Sequence, residues 1–398
     1  MTGVRTALVI GGGVAGPVAA MALRRAGIEP TVYEAYESTA DGIGGTLTVA
    51  PNGLDALGIL GADEAVRAIG LPMVHTVMAD GHGKRIGEFP SLPDLPPSRA
   101  MWRSELYRAL HDDAVAQGIR IEYGKRLIGV EDTPTGITAR FADGSTANGD
   151  VLIGADGVRS TVRTLIDPAA PAPDNVPLLN FGAAADIAVP AEPDATYFVF
   201  GRRAFLGYWV QPDGRTAWFG NLPHDKPMTS AQAREVPAAE WLRRLREVYA
   251  DDVPGRDLLE HTSADELFVL GSMEIMPKLP HWHRGRMVLV GDSAHAPSAS
   301  SGQGASLAAE SAVQLARCLR DLPDVPSAFA AYERLRRPRV EKVAARAAKT
   351  NNSKALGPVA ITLMRLMMPV AMKTFLTPEK TLGPEQRYRI DWDEVVTA

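Results

Sequence analysis

Cysteine is nearly missing from this sequence: Cys318 is the only one in 398 residues. An intrachain disulfide and a thiolate metal cluster are therefore excluded. Among apolar neighbours on a helical stretch, Cys318 reads as a small buried hydrophobe. Positive charge is in deficit too. Lys and Arg number 42 against 47 Asp and Glu, a net charge of −5, and no stretch interleaves basic with aromatic residues. Nucleic acid is thus not a partner this chain is built for. Long apolar runs are also wanting. The stretch 359–376 is broken by Arg365, Pro369 and Lys373, short of the roughly twenty clean residues of a membrane span. It reads as an amphipathic helix packed on the body, with no stable membrane insertion. The first residues show no basic region before a cleavage site, so a cytoplasmic location is expected.

What is present is globular in texture, 45% hydrophobic and 22% charged, in a length that suits two or three domains or one large domain with an insertion. The chain is organised around its first forty residues. Residues 7–10 form an apolar run bounded by glycine, too short for a helix, and read as a buried parallel strand. Gly11, Gly13 and Gly16 then follow the G-x-G-x-x-G spacing. The first permits a tight turn, the second lets a pyrophosphate reach the backbone, and the third lets helix pack on strand. A helix with Pro17 in its first turn and Gly27 at its stop leads to a second strand that ends on Glu34. That carboxylate stands where this arrangement hydrogen-bonds a ribose, and it would repel a 2′-phosphate. An adenine dinucleotide follows, FAD or NAD rather than NADP.

Further along, 36–45 reads as a loop, 53–60 and 102–110 as helices, the latter capped by Ser104. A strand pair and a proline-rich excursion occupy 74–97. Strands are expected at 120–123, 129–131, 136–141 and 151–155, with a turn at 142–145. The Pro- and Ala-rich stretch 167–177 marks a domain boundary. Beyond it, 196–201, 205–210 and 216–220 are alternating aromatic strands of an antiparallel sheet, with a helix at 238–249 laid on it. Residues 286–292 form a strand like the first, and a long helix runs over 304–319. The fold class expected is α/β: a Rossmann-like dinucleotide domain (1–73, 98–175 and 277–345) interrupted by an antiparallel β-sheet substrate domain (74–97 and 176–276), with a helical C-terminal tail (346–398).

Three separated signatures now stand together: "GGGVAG" with Glu34, "DVLIGADGVRSTVR" at 150–163, and "GRMVLVGDSAHAPSASSGQGASLAAESA" at 285–312. In order and spacing the chain resembles the single-component flavin-dependent aromatic hydroxylases, the FAD-binding monooxygenases of the 4-hydroxybenzoate hydroxylase and tetracycline-inactivating type. The resemblance covers about the first 345 residues. It implies that Gly11, Gly13 and Gly16 hold the FAD pyrophosphate and Glu34 the adenosine ribose. Gly44 and Gly45 would touch the isoalloxazine, and Arg103 would reach the pyrophosphate or ribityl chain. Asp156 and Gly157 match an element used for both FAD and NAD(P)H. Asp292 would accept from the ribityl hydroxyls, while Pro297, Gly302, Gln303 and Gly304 would line the pyrimidine edge. Ser298 to Ser301 replaces bulkier residues often found before that turn.

The resemblance further implies an enzyme that takes NADH or NADPH and molecular oxygen and hydroxylates or epoxidises a small molecule through a flavin 4a-hydroperoxide. No second nucleotide fold is visible, so the reductant would dock transiently near Asp156. Arg159 and Arg163 would either meet it or solvate a helix. The sheet offers no charged anchor besides Arg202 and Arg203, which favours a hydrophobic, aromatic or polycyclic substrate. Tyr197, Phe200, Tyr208 and Trp218 are the candidate substrate contacts, although alternation allows at most half of the aromatic stripe to face a cavity. No residue is assigned as an acid or base, because the flavin carries the chemistry. His295 beside Asp292 and Ser293 does not make a triad. His281 and His283 lack a third metal ligand, and no metal is expected. A reductase of the same fold and a non-catalytic flavin-binding redox module are the alternatives.

Overall fold

The computed structural model describes residues 3–38, 44–224, 226–352, 367–368, 371 and 376–397. Its central sheet has six strands, in the order His283–Arg284, Met287–Leu289, Val151–Gly154, Thr6–Ile10, Glu29–Tyr33 and Arg120–Glu122. Every pairing is parallel except that of the edge hairpin His283–Arg284 with Met287–Leu289. The apolar runs of the sequence arise because this sheet is covered on both sides. Val9 faces Gly16 of the helix Ala15–Arg25, and its neighbour Leu8 points the other way, against Gly149 of a three-stranded meander. That meander consists of Leu127–Thr133, Gly136–Phe141 and Thr146–Gly149. The helix Gly304–Asp321 packs on Ala15–Arg25 and buries Cys318, whose thiol burial pushes up to about 11.

A second sheet of seven strands runs Phe268–Ile275, Asp174–Ala185, Thr216–Pro223, Phe205–Val210, Ala195–Phe200, His75–Asp80 and Arg85–Pro90. It is antiparallel save for one parallel pairing, between Ala195–Phe200 and His75–Asp80. These last two strands come from distant segments, so no hairpin constrains their direction. The helix Ala238–Tyr249 lies on one face and buries Trp241, Leu245 and Tyr249 against Phe181, Leu206 and Trp218. Each such full burial contributes about 2–3 kcal/mol. The polar ends are satisfied there: Trp218 Nε1–H donates to Thr262 Oγ1 at 3.0 Å, and the Tyr249 hydroxyl to Phe205 O at 2.7 Å. A third small sheet, Thr46–Val49, Ser98–Trp102 and Leu71–Met73, stands between the two large ones in the chain's path.

Several local expectations are corrected. The helix after Trp102 spans Arg103–Ala116, and Ser104 sits inside its first turn. Glu105 closes the start instead, accepting from Trp102 N–H at 2.9 Å. The strand at 286–292 ends at Leu289, and Asp292 opens a one-turn helix, Asp292–His295. Asp174 already belongs to a strand, paired with Ile275, so the boundary closes before 177. The apolar stretch 359–376 lies outside the described residues apart from 367, 368, 371 and 376. Among the described residues no helix is long and apolar enough to cross a membrane. Residues 376–397 return to the central domain, with Trp392 held between Arg25 and Arg320 at 5.1 and 4.8 Å.

Candidate functional site

Four parallel strands deliver their following residues to one edge of the central sheet, the position at which open α/β sheets bind ligands. Gly11 follows Thr6–Ile10, Glu34 follows Glu29–Tyr33, Asp156 follows Val151–Gly154, and Asp292 follows Met287–Leu289. The glycines divide by role. A Cβ on Gly11 would meet Ala155 O at 2.5 Å, and one on Gly16 would meet Gly11 O at 1.8 Å. Those two are closed by the fold. On Gly13 the nearest atom would be Tyr107 Oη at 3.9 Å, and on Gly304 nothing lies within 4 Å. A methyl would fit at Gly13, and Gly304 faces open space.

Both helices that begin here are bare at their N-termini. Neither Ala15–Arg25 nor Gly304–Asp321 has a side-chain cap or an acid in its first turn. Their free N–H groups and positive dipole ends are suited to an anion. Glu34 closes the glycine loop, accepting from Gly12 N–H at 2.6 Å and Tyr36 N–H at 2.9 Å. Asp292 is open to solvent but ringed by protein; lost hydration pushes its carboxyl up, and Arg103 opposes this in part. Arg103 packs its stem against Gly44, donates its backbone N–H to Gly45 O at 2.9 Å, and is exposed toward the cleft. One turn further on, Tyr107 feels the charges of Arg103, Asp292 and Glu34, and burial pushes its phenol up. Tyr107 belongs to none of the sequence signatures; its i+4 spacing from Arg103 is the one signal that points to it.

Asp156 is engaged within its own loop. It accepts from Ser160 Oγ at 2.5 Å and from the N–H groups of Thr161 and Val162 at 2.7 and 3.1 Å, while Gly157 turns the chain at φ +77°. Arg163 does not solvate a helix; it is buried and donates to Ser293 O and Val158 O, tying the Asp156 and Asp292 loops together. Arg159 is exposed and grips Glu274 of the seven-stranded sheet at 3.0 Å. Pro297 is half-buried, and Gly302 sits in the left-handed region next to Thr48.

The substrate assignments divide by face. Tyr197, Tyr208 and Trp218 point at the helix side: Tyr208 and Trp218 are buried core, and Tyr197 is half-buried, stacked on Tyr208 at 4.8 Å, so the expectation that they meet substrate is corrected. Strand periodicity puts their neighbours on the opposite face. There Phe200 and Phe198 meet Phe205, and Phe198 and Phe205 meet Phe219. Trp209 and Ala217 join Ala100, Trp102 and Met73 in a separate cluster, and Trp102 meets Phe268 at 5.5 Å. Leu270 reaches Gly45, and Met273 Sδ accepts from Ser298 Oγ at 3.0 Å. This is the face turned toward the glycine-lined edge.

Residues 5–347 match the model of a family described as FAD binding domain. The chain belongs to that family. It is 30% identical over 329 residues to the aurachin C monooxygenase/isomerase of Stigmatella aurantiaca, covering 79% of this chain and 80% of that one. It is 29% identical over 321 residues to an FAD-dependent urate hydroxylase of Klebsiella pneumoniae, covering 78% and 80%. The fold matches Klebsiella pneumoniae HpxO solved with FAD and uric acid at a TM-score of 0.81, with 24% identity and coverage of 96% and 98%. Tetracycline destructase Tet(51) matches at 0.72, with 19% identity and coverage of 98% and 100%. The protein is a flavoprotein monooxygenase, and FAD is its cofactor.

The residues present fit that cofactor. Gly13 and Gly304 leave room at two bare helix ends, and the Glu34 and Asp292 carboxylates would be the acceptors for ribose and ribityl hydroxyls. Asp292→Ala is expected to weaken FAD binding by about ten- to a hundredfold, the worth of one or two charge-assisted hydrogen bonds. Flavin content after gel filtration reads this directly, and full retention would remove Asp292 from the site.

Behind the site His295 is fully buried, its Nε2 on Ser311 Oγ at 2.9 Å. Burial first, then Arg336, pushes its imidazole down to about 3. Below about pH 6.5 the unfolded chain protonates this histidine while the folded chain does not. Stability is therefore lost as pH falls from 6.5 toward 3, by about 1.4 kcal/mol per unit from this group. Melting temperatures at pH 7, 6 and 5 should fall more steeply for the wild type than for His295→Gln; parallel slopes would contradict the assignment.

Proposed function

We propose that this monooxygenase uses NADH or NADPH and molecular oxygen to hydroxylate or epoxidise an uncharged aromatic or polycyclic small molecule. The observation that carries the reading is the cleft-side face of the seven-stranded sheet. Phe198, Phe200, Phe219 and Leu270 are half-buried on it, over a buried layer of Phe205, Trp209 and Asn221, whose amide pairs with that of Asn180 at 2.6 Å. Arg202 and Arg203, in the turn between the strands Ala195–Phe200 and Phe205–Val210, are engaged elsewhere, as is Arg85 of the edge strand, paired with Glu88 and Glu192. Arg203 donates to Glu247 O and Asp251, and the Arg202 side chain reaches His82 at 3.4 Å. Relatives with names such as aurachin C monooxygenase/isomerase and zeaxanthin epoxidase support an apolar substrate. Those named for urate and 3-amino-4-hydroxybenzoate show that polar ones occur in the family.

FAD, when bound, supplies hydride acceptance and oxygen activation. The chain's own share is to bind, orient and exclude water. Arg103 and the two bare helix ends neutralise the cofactor's negative groups, and the aromatic face presents the substrate's flat surface while keeping water out. The two faces give a paired test. Phe219→Ala is expected to raise KM for the substrate about tenfold or more, through lost aromatic contact area. Tyr208→Phe, on the helix side, is expected to leave KM unchanged. A KM effect at Tyr208 with none at Phe219 would reverse the assignment of faces.

A further inference from the structure

The loop residue Gln303 is oriented from behind by a chain of buried groups. Glu310, fully buried, lies between the guanidiniums of Arg336 at 2.8 Å and Arg339 at 2.7 Å. Burial pushes its carboxyl up, but the two arginines outweigh that and hold it below its ordinary value. An ionised carboxylate can only accept hydrogen bonds. Asn52, itself 1% exposed, must therefore turn its NH2 group to Glu310, and Nδ2 stands 2.6 Å from Oε1. The same NH2 group meets Gln303 Oε1 at 2.9 Å. Gln303 thus faces Asn52 with its carbonyl, and its own NH2 is left for the other side. Among the described residues, Asn52 Oδ1 is buried with no hydrogen-bond partner. Both N–H groups of Asn52 are spent in this arrangement while its carbonyl goes unsatisfied, an exception to the rule for buried polar atoms that calls for a functional reason.

We infer that Asn52 is a positioning residue: it converts the fixed charge of the Glu310–Arg336–Arg339 cluster into the orientation of the Gln303 amide, so that the loop offers a donor to the pyrimidine edge of FAD. The inference rests on reading Gly302, Gln303 and Gly304 as the flavin-edge loop. A donor there stabilises the negative charge that reduction brings to that edge, and so raises the flavin's midpoint potential.

The test is a double-mutant cycle on Asn52→Leu, Gln303→Leu and the pair. FAD affinity is read by quenching of flavin fluorescence on titration into apoprotein, the midpoint potential on the loaded protein, and the melting temperature on the apoprotein. Each single variant is expected to bind FAD about tenfold more weakly, one hydrogen bond's worth, at a lowered potential and with a similar apoprotein melting temperature. The pair should bind no more weakly than Gln303→Leu alone, since Asn52 acts only through Gln303. Additive losses would overturn the relay, as would native affinity and potential in Asn52→Leu while Gln303→Leu loses both. Native behaviour of Gln303→Leu itself would instead overturn the flavin-edge reading, and the inference with it. Asn52→Ser keeps the test open if the leucine variant does not fold. Its single hydroxyl proton goes to Glu310, so it must accept from Gln303 and turn that amide over. The potential should then fall, and an unchanged potential would contradict the inference.

Discussion

Gly16→Ala is expected to yield protein without bound flavin and with a markedly lower melting temperature. The added methyl would stand 1.8 Å from the carbonyl oxygen of Gly11, a backbone atom that has no rotamer to escape by. The helix Ala15–Arg25 must move off the strand Thr6–Ile10, which disturbs the packing of Val9 and of the helix Gly304–Asp321 behind it. Overpacking of this kind costs about 1–3 kcal/mol or more. The bare helix end also leaves its place over the glycine loop, so FAD affinity should fall by at least about a hundredfold. Gly13→Ala is the control. Its methyl would meet nothing nearer than Tyr107 Oη at 3.9 Å, so the apoprotein should melt as the wild type does while FAD binding is lost. Thermal unfolding and flavin content of the two variants check this together. A Gly16→Ala protein that is yellow and as stable as wild type would contradict the loop's role.

Arg336→Met is expected to destabilise the protein by about 3–5 kcal/mol, the usual cost of breaking a buried ion pair from one side. The guanidinium is fully buried and donates to Glu310 at 2.8 Å and to Ser311 Oγ at 3.2 Å. It also lies over the ring of Tyr388, which belongs to the returning C-terminal segment. Methionine fills much of the volume but leaves Glu310 with Arg339 as its sole ionic partner among the described residues. Urea unfolding should show a lower midpoint with the slope unchanged. A loss below about 1 kcal/mol would mean that the cluster carries little net stability.

The central domain was legible because its chemistry is local. Gly11, Gly13, Gly16 and Glu34 fall within one strand–helix–strand unit, where spacing alone specifies geometry. Asp292 was legible for the same reason, as an acid directly after a buried run. The antiparallel sheet and its covering helix were legible too, but not which face of the sheet meets the cleft. Aromatics stand on both faces of 195–200, 205–210 and 216–223, so alternation separates Tyr208 from Trp209 without saying which of them meets the cleft. The deciding signal lay outside the strands, in the apolar stripe Trp241, Leu245 and Tyr249 of the helix Ala238–Tyr249, and in Gly220, where a Cβ would meet Tyr249 Oη at 2.6 Å. Glu310 was likewise overlooked. A lone acid within "GASLAAESAVQLA", a helix with small or apolar residues on nearly every side, had to be buried and so had to find cations elsewhere in the chain. Its partners lie 26 and 29 positions away, beyond the reach of any spacing rule.

The most direct test of the whole account is oxygen transfer itself. The FAD-loaded protein would be supplied with NADH or NADPH under 18O2 and a panel of aurachin C, tetracycline, zeaxanthin, urate and 3-amino-4-hydroxybenzoate, with products read by mass spectrometry and peroxide by titration. One 18O atom in an uncharged aromatic or polycyclic member of the panel, with faster NAD(P)H oxidation in its presence, is the predicted result. Recovery of all consumed oxygen as peroxide across the panel would contradict the monooxygenase account, and preferred labelling of the carboxylate would contradict the uncharged cleft.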